Sequence, residues 1–336
     1  MPKLEPADKP LAPAHRTARA LWYAAKGVVE LRDETLRPPA TGEVLVRTAF
    51  SGVSRGTERL VCTGAVGRSE WDRMRAPMQA GAFPFPVKYG YCATGVVEAG
   101  EKDLLGRTVF VLHPHQDLFV APAGMAVPVP AGVPARRATL AANMETALNA
   151  LWDSGAGPAD RIVVVGGGIL GLLVGTLAAR LPGAEVTLVD VAAERRTLAE
   201  ALGMRFADPV AVPGDADVTF NTSVSGKGLD TAIDAAGFEA TVVELSWYGE
   251  GATPVHLGGG FHSRRLRLVS SQVGQIATGR RARWDYRRRL EAALALLADP
   301  ALDRLVAEEI AFADAPALLP GLLAPGAPGL APVIRY

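Results

Sequence analysis

The pattern of apolar and polar positions divides the chain into two regimes. From residue 18 to about residue 130, short β-like runs at 28–31, 43–47, 94–98 and 108–112 are separated by Gly and Pro. This spacing predicts a β-rich domain. A more helical pattern interrupts it at 69–79, and a helix is expected over 135–154. From residue 159 strands and helices alternate. Strand 161–165 leads through glycines into helix 170–181, and strand 185–189 is followed by helix 193–202. Four more strands are expected near 204–207 and over 217–221, 241–247 and 266–270. Six strands with intervening helices describe an α/β, doubly wound parallel sheet. Its third crossover is abbreviated, because only about ten residues separate Ala207 from the strand at Asp217. A long helix over 282–297 and a β-like ending at 333–336 complete the reading.

The run from Ile162 to Ala179 is uncharged and apolar for 18 residues, about the minimum for a membrane span. Its glycines favour a strand, a tight turn and a buried helix instead, so no membrane partner is expected. The first 15 residues hold four prolines and no apolar stretch, which reads as a loose tail and not as a leader. Lys and Arg number 35 against 35 Asp and Glu, so no basic surface draws the chain to nucleic acid. The two cysteines, Cys62 and Cys92, build neither a disulfide framework nor a four-cysteine zinc knuckle. The expectation is a cytoplasmic protein.

Chemistry enters with Gly166-x-Gly168-x-x-Gly171, set between a predicted strand and helix. Gly166 permits the tight turn, Gly168 lets backbone approach a pyrophosphate, and Gly171 brings the helix close to its strand. Amides at the helix start, Ile169 and Leu170, meet the anion at the positive end of the helix dipole. Asp190 closes the next strand 19 residues after Gly171, where it accepts from ribose hydroxyls and repels a 2′-phosphate. NAD is therefore the expected cofactor. Arg195 and Arg196, close behind Asp190, keep NADP as the alternative.

The sequence also resembles the medium-chain dehydrogenases/reductases, the alcohol dehydrogenase and quinone oxidoreductase superfamily. The resemblance rests on Gly42-Glu43-Val44-Leu45-Val46-Arg47, Ser51-Gly52-Val53-Ser54, Gly90-Tyr91-Cys92-Ala93-Thr94-Gly95-Val96-Val97, Thr146-Ala147-Leu148-Asn149-Ala150-Leu151 and the glycine motif. Ser54-Arg55-Gly56-Thr57-Glu58-Arg59, the segment 83–91, His113-Pro114-His115-Gln116 and Ser270-Ser271-Gln272-Val273-Gly274 are similar to a subgroup typified by bacteriochlorophyllide 3-hydroxyethyl dehydrogenase. The resemblance implies a GroES-like catalytic domain over 18–148 after a tail at 1–17. It further implies a Rossmann NAD-binding domain over 149–275, a segment at 276–336 returning to the first domain, and a homodimer.

It also implies a departure. Zinc enzymes of this superfamily hold their metal with a Cys, a His-Glu pair and a second Cys or Asp. Here Ser54 takes the first position, Tyr91 and Cys92 take the His-Glu positions, and the region of Ala142, Asn143 and Glu145 has no thiolate. Zinc-free chemistry is expected. An improvised site from Cys92, His113, His115, Glu58 and Glu145 is the alternative, since His-x-His in a strand puts both imidazoles on one face.

Without a metal, a hydrogen-bond donor must serve the substrate oxygen. Tyr91 is the first candidate, with His113 or His115 as proton relay and Glu58 and Lys88 behind them. The resemblance places Thr146 beside the nicotinamide, Ser246, Trp247 and Tyr248 at its carboxamide, Asn221 and Thr222 near the adenosine, and Ser271 and Gln272 at the cleft. Arg280, Arg281, Arg283, Arg287, Arg288 and Arg289 are expected on a solvated helix face, or holding substrate anions beside Trp284 and Tyr286. Trp22, Trp71, Trp152 and Trp247 are assigned to packing. The function expected is hydride transfer between a nicotinamide and a secondary alcohol or ketone of a sizeable polar molecule. A quinone or C=C reductase, and a catalytically silent dinucleotide sensor, are the alternatives.

Overall fold

The computed structural model describes residues 15–330 and 332–336. Apart from its last residues, the expected N-terminal tail lies outside the described residues.

β1 (Arg16–Ala25) and β2 (Val28–Leu36) form an antiparallel hairpin whose turn needs the positive φ of Gly27. β3 (Glu43–Gly52) opens a second sheet, and α1 (Arg55–Thr63) follows it directly. β4 (Ala80–Gly81) and β5 (Val87–Lys88) complete the first sheet in the order β2-β1-β5-β4. β6 (Ala93–Gly100), β7 (Thr108–Val111), β8 (Leu118–Pro122) and β9 (Val127–Pro128) gather around β3. α2 (Ala135–Ala138) and α3 (Ala141–Ser154) lead into the second regime.

There β10 (Arg161–Val165), α4 (Ile169–Ala178), β11 (Glu185–Val189), α5 (Arg195–Ala201) and β12 (Arg205–Ala207) wind one half of a parallel sheet. β13 (Ala216–Asn221), α6 (Gly226–Ala235), β14 (Ala236–Glu244), α7 (Gly260–Ser263) and β15 (Arg267–Ser270) wind the other. The strand order β12-β11-β10-β13-β14-β15 reverses direction between β10 and β13. That reversal opens a crevice at the carboxyl ends of the strands, where ligands of such sheets bind. β10 and β11 are buried after their first residue because helices cover both sheet faces. The third crossover is abbreviated as expected: only a 3₁₀ turn at Pro209–Ala211 joins β12 to β13.

α8 (Tyr286–Leu296), β16 (Glu309–Ala311), α9 (Ala315–Leu322) and β17 (Val333–Arg335) finish the fold. β17 pairs antiparallel with β3, setting Val333 opposite Gly52, and β16 pairs parallel with β17. The last segment thus returns to the first sheets. Among the described residues no helix is long and apolar enough to cross a membrane.

Several expectations are corrected. Residues 69–79 hold no α-helix, only a 3₁₀ turn at Arg68–Glu70. Pro77 removes a helix donor, and Met78 adopts φ 58°. The helix expected over 135–154 is two helices, because the Thr139 hydroxyl donates to the Arg136 carbonyl at 2.6 Å and closes the first. α8 starts at its Asp285 cap, whose carboxylate accepts from the Arg288 amide at 2.7 Å. β7 ends at Val111, so His113 and His115 sit in a loop and not in a strand.

Candidate active site

The glycine loop has the geometry its sequence requires. Gly166 stands at φ 106°, and a Cβ there would lie 2.8 Å from Thr222 Oγ1 and 2.9 Å from the Ser223 Cα. A Cβ on Gly171 would lie 1.9 Å from the Gly166 carbonyl oxygen, so α4 presses against its strand at that residue. Thr222 braces the turn by donating to the carbonyls of Val165 at 3.1 Å and Gly166 at 2.9 Å. Gly168, the N-cap of α4, has open space where a Cβ would stand, and no side chain caps the helix. The amides of Ile169 and Leu170 therefore start a helix N-terminus that a diphosphate fits.

Asp190 follows β11. One carboxylate oxygen accepts from the Gly167 amide and the other from the Ala192 amide at 2.7 Å. The carboxyl is thereby fixed beside the glycine loop. Arg195 lies against Gly167 and donates to the Gly329 carbonyl at 2.7 Å, while Arg196 stacks over Phe206 at 4.7 Å.

At the ends of β13 and β14, Asn221 is fully buried. It donates to Glu244 Oε2 at 2.8 Å and to Tyr248 Oη at 3.1 Å, and accepts from Ser223 Oγ at 2.7 Å. Asn221 ties strands together there. Ser246 accepts from the Val224 amide at 3.0 Å, and Ser271 donates to Asp153 at 2.7 Å. The Thr146 hydroxyl donates back to Ala142 at 2.9 Å within α3. Trp247 packs against the core of the first sheet, and the Arg68 amide donates to Glu250 at 2.9 Å, so the segment after β14 crosses to the β-rich half. A narrow cleft between the halves is lined by Gly52, Val53, Thr139, Asn143 and Ile169.

Tyr91 borders both the core beneath the first sheet and the core shared by α3 and the parallel sheet. Its hydroxyl donates to Ser54 Oγ at 2.5 Å and to Thr57 Oγ1 at 3.3 Å, and its ring meets Tyr89 edge-on at 6.0 Å. Burial, then the neighbouring Cys92, pushes the Tyr91 hydroxyl well above the usual phenol range, so it is a neutral donor.

Glu58 lies behind that cluster and is completely buried. Its carboxyl accepts from Tyr23 Oη at 2.6 Å and the Ser54 amide at 2.6 Å, and lies 2.9 Å from His115 Nε2. His115 Nδ1 is 2.6 Å from Ser51 Oγ, which is 2.9 Å from Tyr336 Oη. His113 is elsewhere: stacked on Phe119 at 3.7 Å, it is 2.9 Å from the Pro114 carbonyl, and burial holds its imidazole down at about 3. Lys88 is held by Glu34 at 2.8 Å and Gln116 at 3.0 Å. The fold joins Tyr91 and Glu58 through Ser54 but leaves His113 apart. Tyr23, Ser51 and Tyr336 had no local sequence signal.

The positions that the resemblance assigns to zinc ligands hold two hydroxyls bonded to each other and a thiol, Cys92, that burial keeps protonated. Glu145 is engaged by Arg289 at 2.9 Å. This donor set does not fit a tetrahedral zinc. Among the described residues no three His, Cys, Asp or Glu side chains are arranged to hold a metal ion. The arginine run is also partly corrected. Arg280, Arg281, Arg283, Arg287 and Arg288 are exposed, with Arg280 over Trp152 and Arg288 over Trp284. Arg289 is buried, because α3 supplies acceptors for it.

No family model matches the sequence. Among solved structures, Escherichia coli L-idonate 5-dehydrogenase matches with a TM-score of 0.79 at 15% identity, covering 96% of this chain and 99% of that one. Bacillus subtilis 2R,3R-butanediol dehydrogenase matches at 0.74 and 18%, covering 95% and 99%. A protein described as a short chain alcohol dehydrogenase (rspB) from E. coli, complexed with NADH, matches at 0.75 and 14%, covering 95% and 99%. The chain shares the fold of these dehydrogenases over nearly its whole length. The Tyr91–Ser54 pair lies in the half that carries β1–β9, apart from the parallel sheet.

Proposed function

We propose that the protein is an NAD-dependent oxidoreductase interconverting a secondary alcohol and a ketone on a sizeable polar molecule, without zinc. The observation that carries this reading is the Tyr91–Ser54 hydrogen bond, a neutral phenol beside a serine at positions for which the resemblance expects zinc ligands. The cofactor reading is supported by the glycine loop, the uncapped start of α4 and the fixed Asp190 carboxyl, with NAD preferred over NADP. Neighbours solved with NADH or with NADP, and those named for idonate and butanediol, support a nicotinamide-dependent dehydrogenase, while the preference for NAD rests on Asp190.

When bound, the nicotinamide supplies or accepts the hydride. The glycine loop holds the diphosphate, Asp190 the adenosine ribose, and Thr146, Ser246 and Trp247 flank the ring's end of the crevice. In ketone reduction the substrate oxygen takes the place of Ser54 Oγ as acceptor of the Tyr91 hydroxyl, whose proton passes there as the hydride arrives and is restored to the phenolate from solvent; in alcohol oxidation the same proton moves the other way. A division at 18–148, 149–275 and 276–336 matches these roles, and a cytoplasmic homodimer through the open edge of β15 completes the proposal.

The test is turnover of Tyr91→Phe over a panel of secondary alcohols and ketones. Loss of proton donation lowers kcat by roughly 10²–10⁴-fold. Unchanged turnover removes Tyr91 from the role, and NADH binding without turnover by the unaltered protein favours a sensor.

A further inference from the structure

Glu58 is unusual for a helix-capping carboxyl. It sits in the first turn of α1 and reaches back to the amide of the N-cap residue, Ser54. A cap of this kind works equally well in water, where the carboxyl keeps its hydration. Here it is withdrawn completely from solvent, and such burial is costly unless every lone pair is matched. The matching is thorough. Oε2 faces Tyr23 Oη and His115 Nε2, Oε1 faces the Ser54 amide, and His115 is continued through Ser51 to Tyr336.

With a neutral His115 donating Nε2–H to Glu58, its Nδ1 accepts from Ser51, and Ser51 accepts from Tyr336. The chain draws on β1, β3, α1, the loop after β7 and the residue following β17. Only its Ser54 end reaches the reacting cluster, since Ser54 Oγ is the acceptor for Tyr91.

We infer that Glu58 and His115 are positioning residues: through the Ser54 amide they fix Ser54 Oγ, and thereby the direction in which Tyr91 presents its proton. This rests on the reading of Tyr91 as proton donor. His115 holds Glu58 at 2.9 Å, and both side chains are completely buried, so they act through Ser54.

Glu58→Gln keeps the shape of Glu58 but turns one acceptor into a donor. With the amide oxygen held by Tyr23 and His115, the NH₂ faces the Ser54 N–H and the two donors repel. A misdirected proton of this kind lowers kcat roughly 10²-fold. KM for the alcohol stays near its original value. Glu58 is among the groups that push the Tyr91 hydroxyl up, so its replacement by a neutral amide also moves the alkaline limb of the pH–rate profile to lower pH.

The experiment is a double-mutant cycle of Glu58→Gln with Tyr91→Phe, read as kcat and pH profile, with melting temperature and NADH fluorescence titration confirming folded, cofactor-competent protein. The inference expects Glu58→Gln to cost nothing further in the Tyr91→Phe background. Independent, multiplicative losses overturn it, as does an unshifted profile with full kcat. If Tyr91→Phe alone leaves kcat intact, the functional reading fails instead. Should Glu58→Gln not fold, His115→Gln takes its place in the same cycle, with the same expectation for kcat.

Discussion

Arg289 and Glu145 meet at 2.9 Å with almost no solvent access to either side chain. The guanidinium also donates to Asn149 Oδ1 at 2.7 Å and to the Val273 carbonyl at 2.6 Å. It therefore clamps α8 to α3 and to the segment leaving the last parallel strand. Burial raises the Glu145 carboxyl, and Arg289 opposes the rise. Removing the cation strands that carboxyl, so Arg289→Met is expected to cost about 3–5 kcal/mol in urea denaturation. Adding Glu145→Gln to Arg289→Met should restore part of the loss. Full additivity of the two losses would show that the pair is not coupled.

His113 gives the fold a defined acid sensitivity. An unfolded imidazole titrates near 6.5, while burial holds this one at about 3. Between those values the unfolded chain binds the additional proton, so stability rises with pH across the window. It falls as pH drops below about 6.5, by up to about 1.4 kcal/mol per unit, and this contribution levels off near 3. His113→Phe, which can keep the stack on Phe119, should flatten the slope of unfolding free energy between pH 6 and 4. An unchanged slope assigns the acid sensitivity to other groups.

Most of the parallel sheet was legible because its strands are β-branched runs bounded by glycine, and both sheet faces are covered. Val163, Val164 and Val165 read as a buried strand from sequence alone. α1 was not legible: its buried face includes Glu58, and a charged residue there masks the helical pattern. Arg289 was misread for the same reason, since its acceptors Glu145 and Asn149 lie 144 and 140 residues away. The hydroxyl cluster was half legible. Tyr91 and Glu58 stand in motifs, whereas Ser51 and Tyr336 are 285 residues apart and only the pairing of β17 with β3 brings them together.

The glycine loop separates shape from binding. At Gly168 a methyl meets open space, so Gly168→Ala should melt within a degree or two of the unaltered protein yet weaken NADH binding, because the methyl occupies the face offered to the diphosphate. Gly171→Ala drives a methyl to 1.9 Å from the Gly166 carbonyl oxygen and should lower stability as well as binding. Fluorescence titration beside thermal melting distinguishes the two. Equal stability losses would mean that Gly168 is needed for the turn itself.

Asp190 is expected to set cofactor choice. Asp190→Asn keeps an acceptor for the Gly167 amide while removing the charge that opposes a 2′-phosphate. A hydrogen bond to a charged group contributes about 1.5–3 kcal/mol, so NADH affinity should fall roughly 10–100-fold. NADPH affinity should hold or rise, helped by Arg195 alongside. Titration with both dinucleotides checks this, and an unaltered preference would mean that selection lies elsewhere.

Thr219 offers a stabilising change. It sits fully buried in β13, with Val163 of β10 and Val242 of β14 on either side in register. Among the described residues its Oγ1 is the buried side-chain polar atom without a hydrogen-bond partner. The two residues that flank it across the sheet, Val163 and Val242, are apolar, so the hydroxyl gave up its hydration and received nothing in return. Thr219→Val replaces it with a methyl of nearly the same shape and strengthens β propensity slightly. Unfolding free energy should rise by about 1–2 kcal/mol. Thr219→Ser is the counterpart: it keeps the hydroxyl, removes the methyl and opens a small void, so it should destabilise. If both substitutions weaken the protein alike in urea denaturation, packing of the methyl decides this position and the hydroxyl costs nothing.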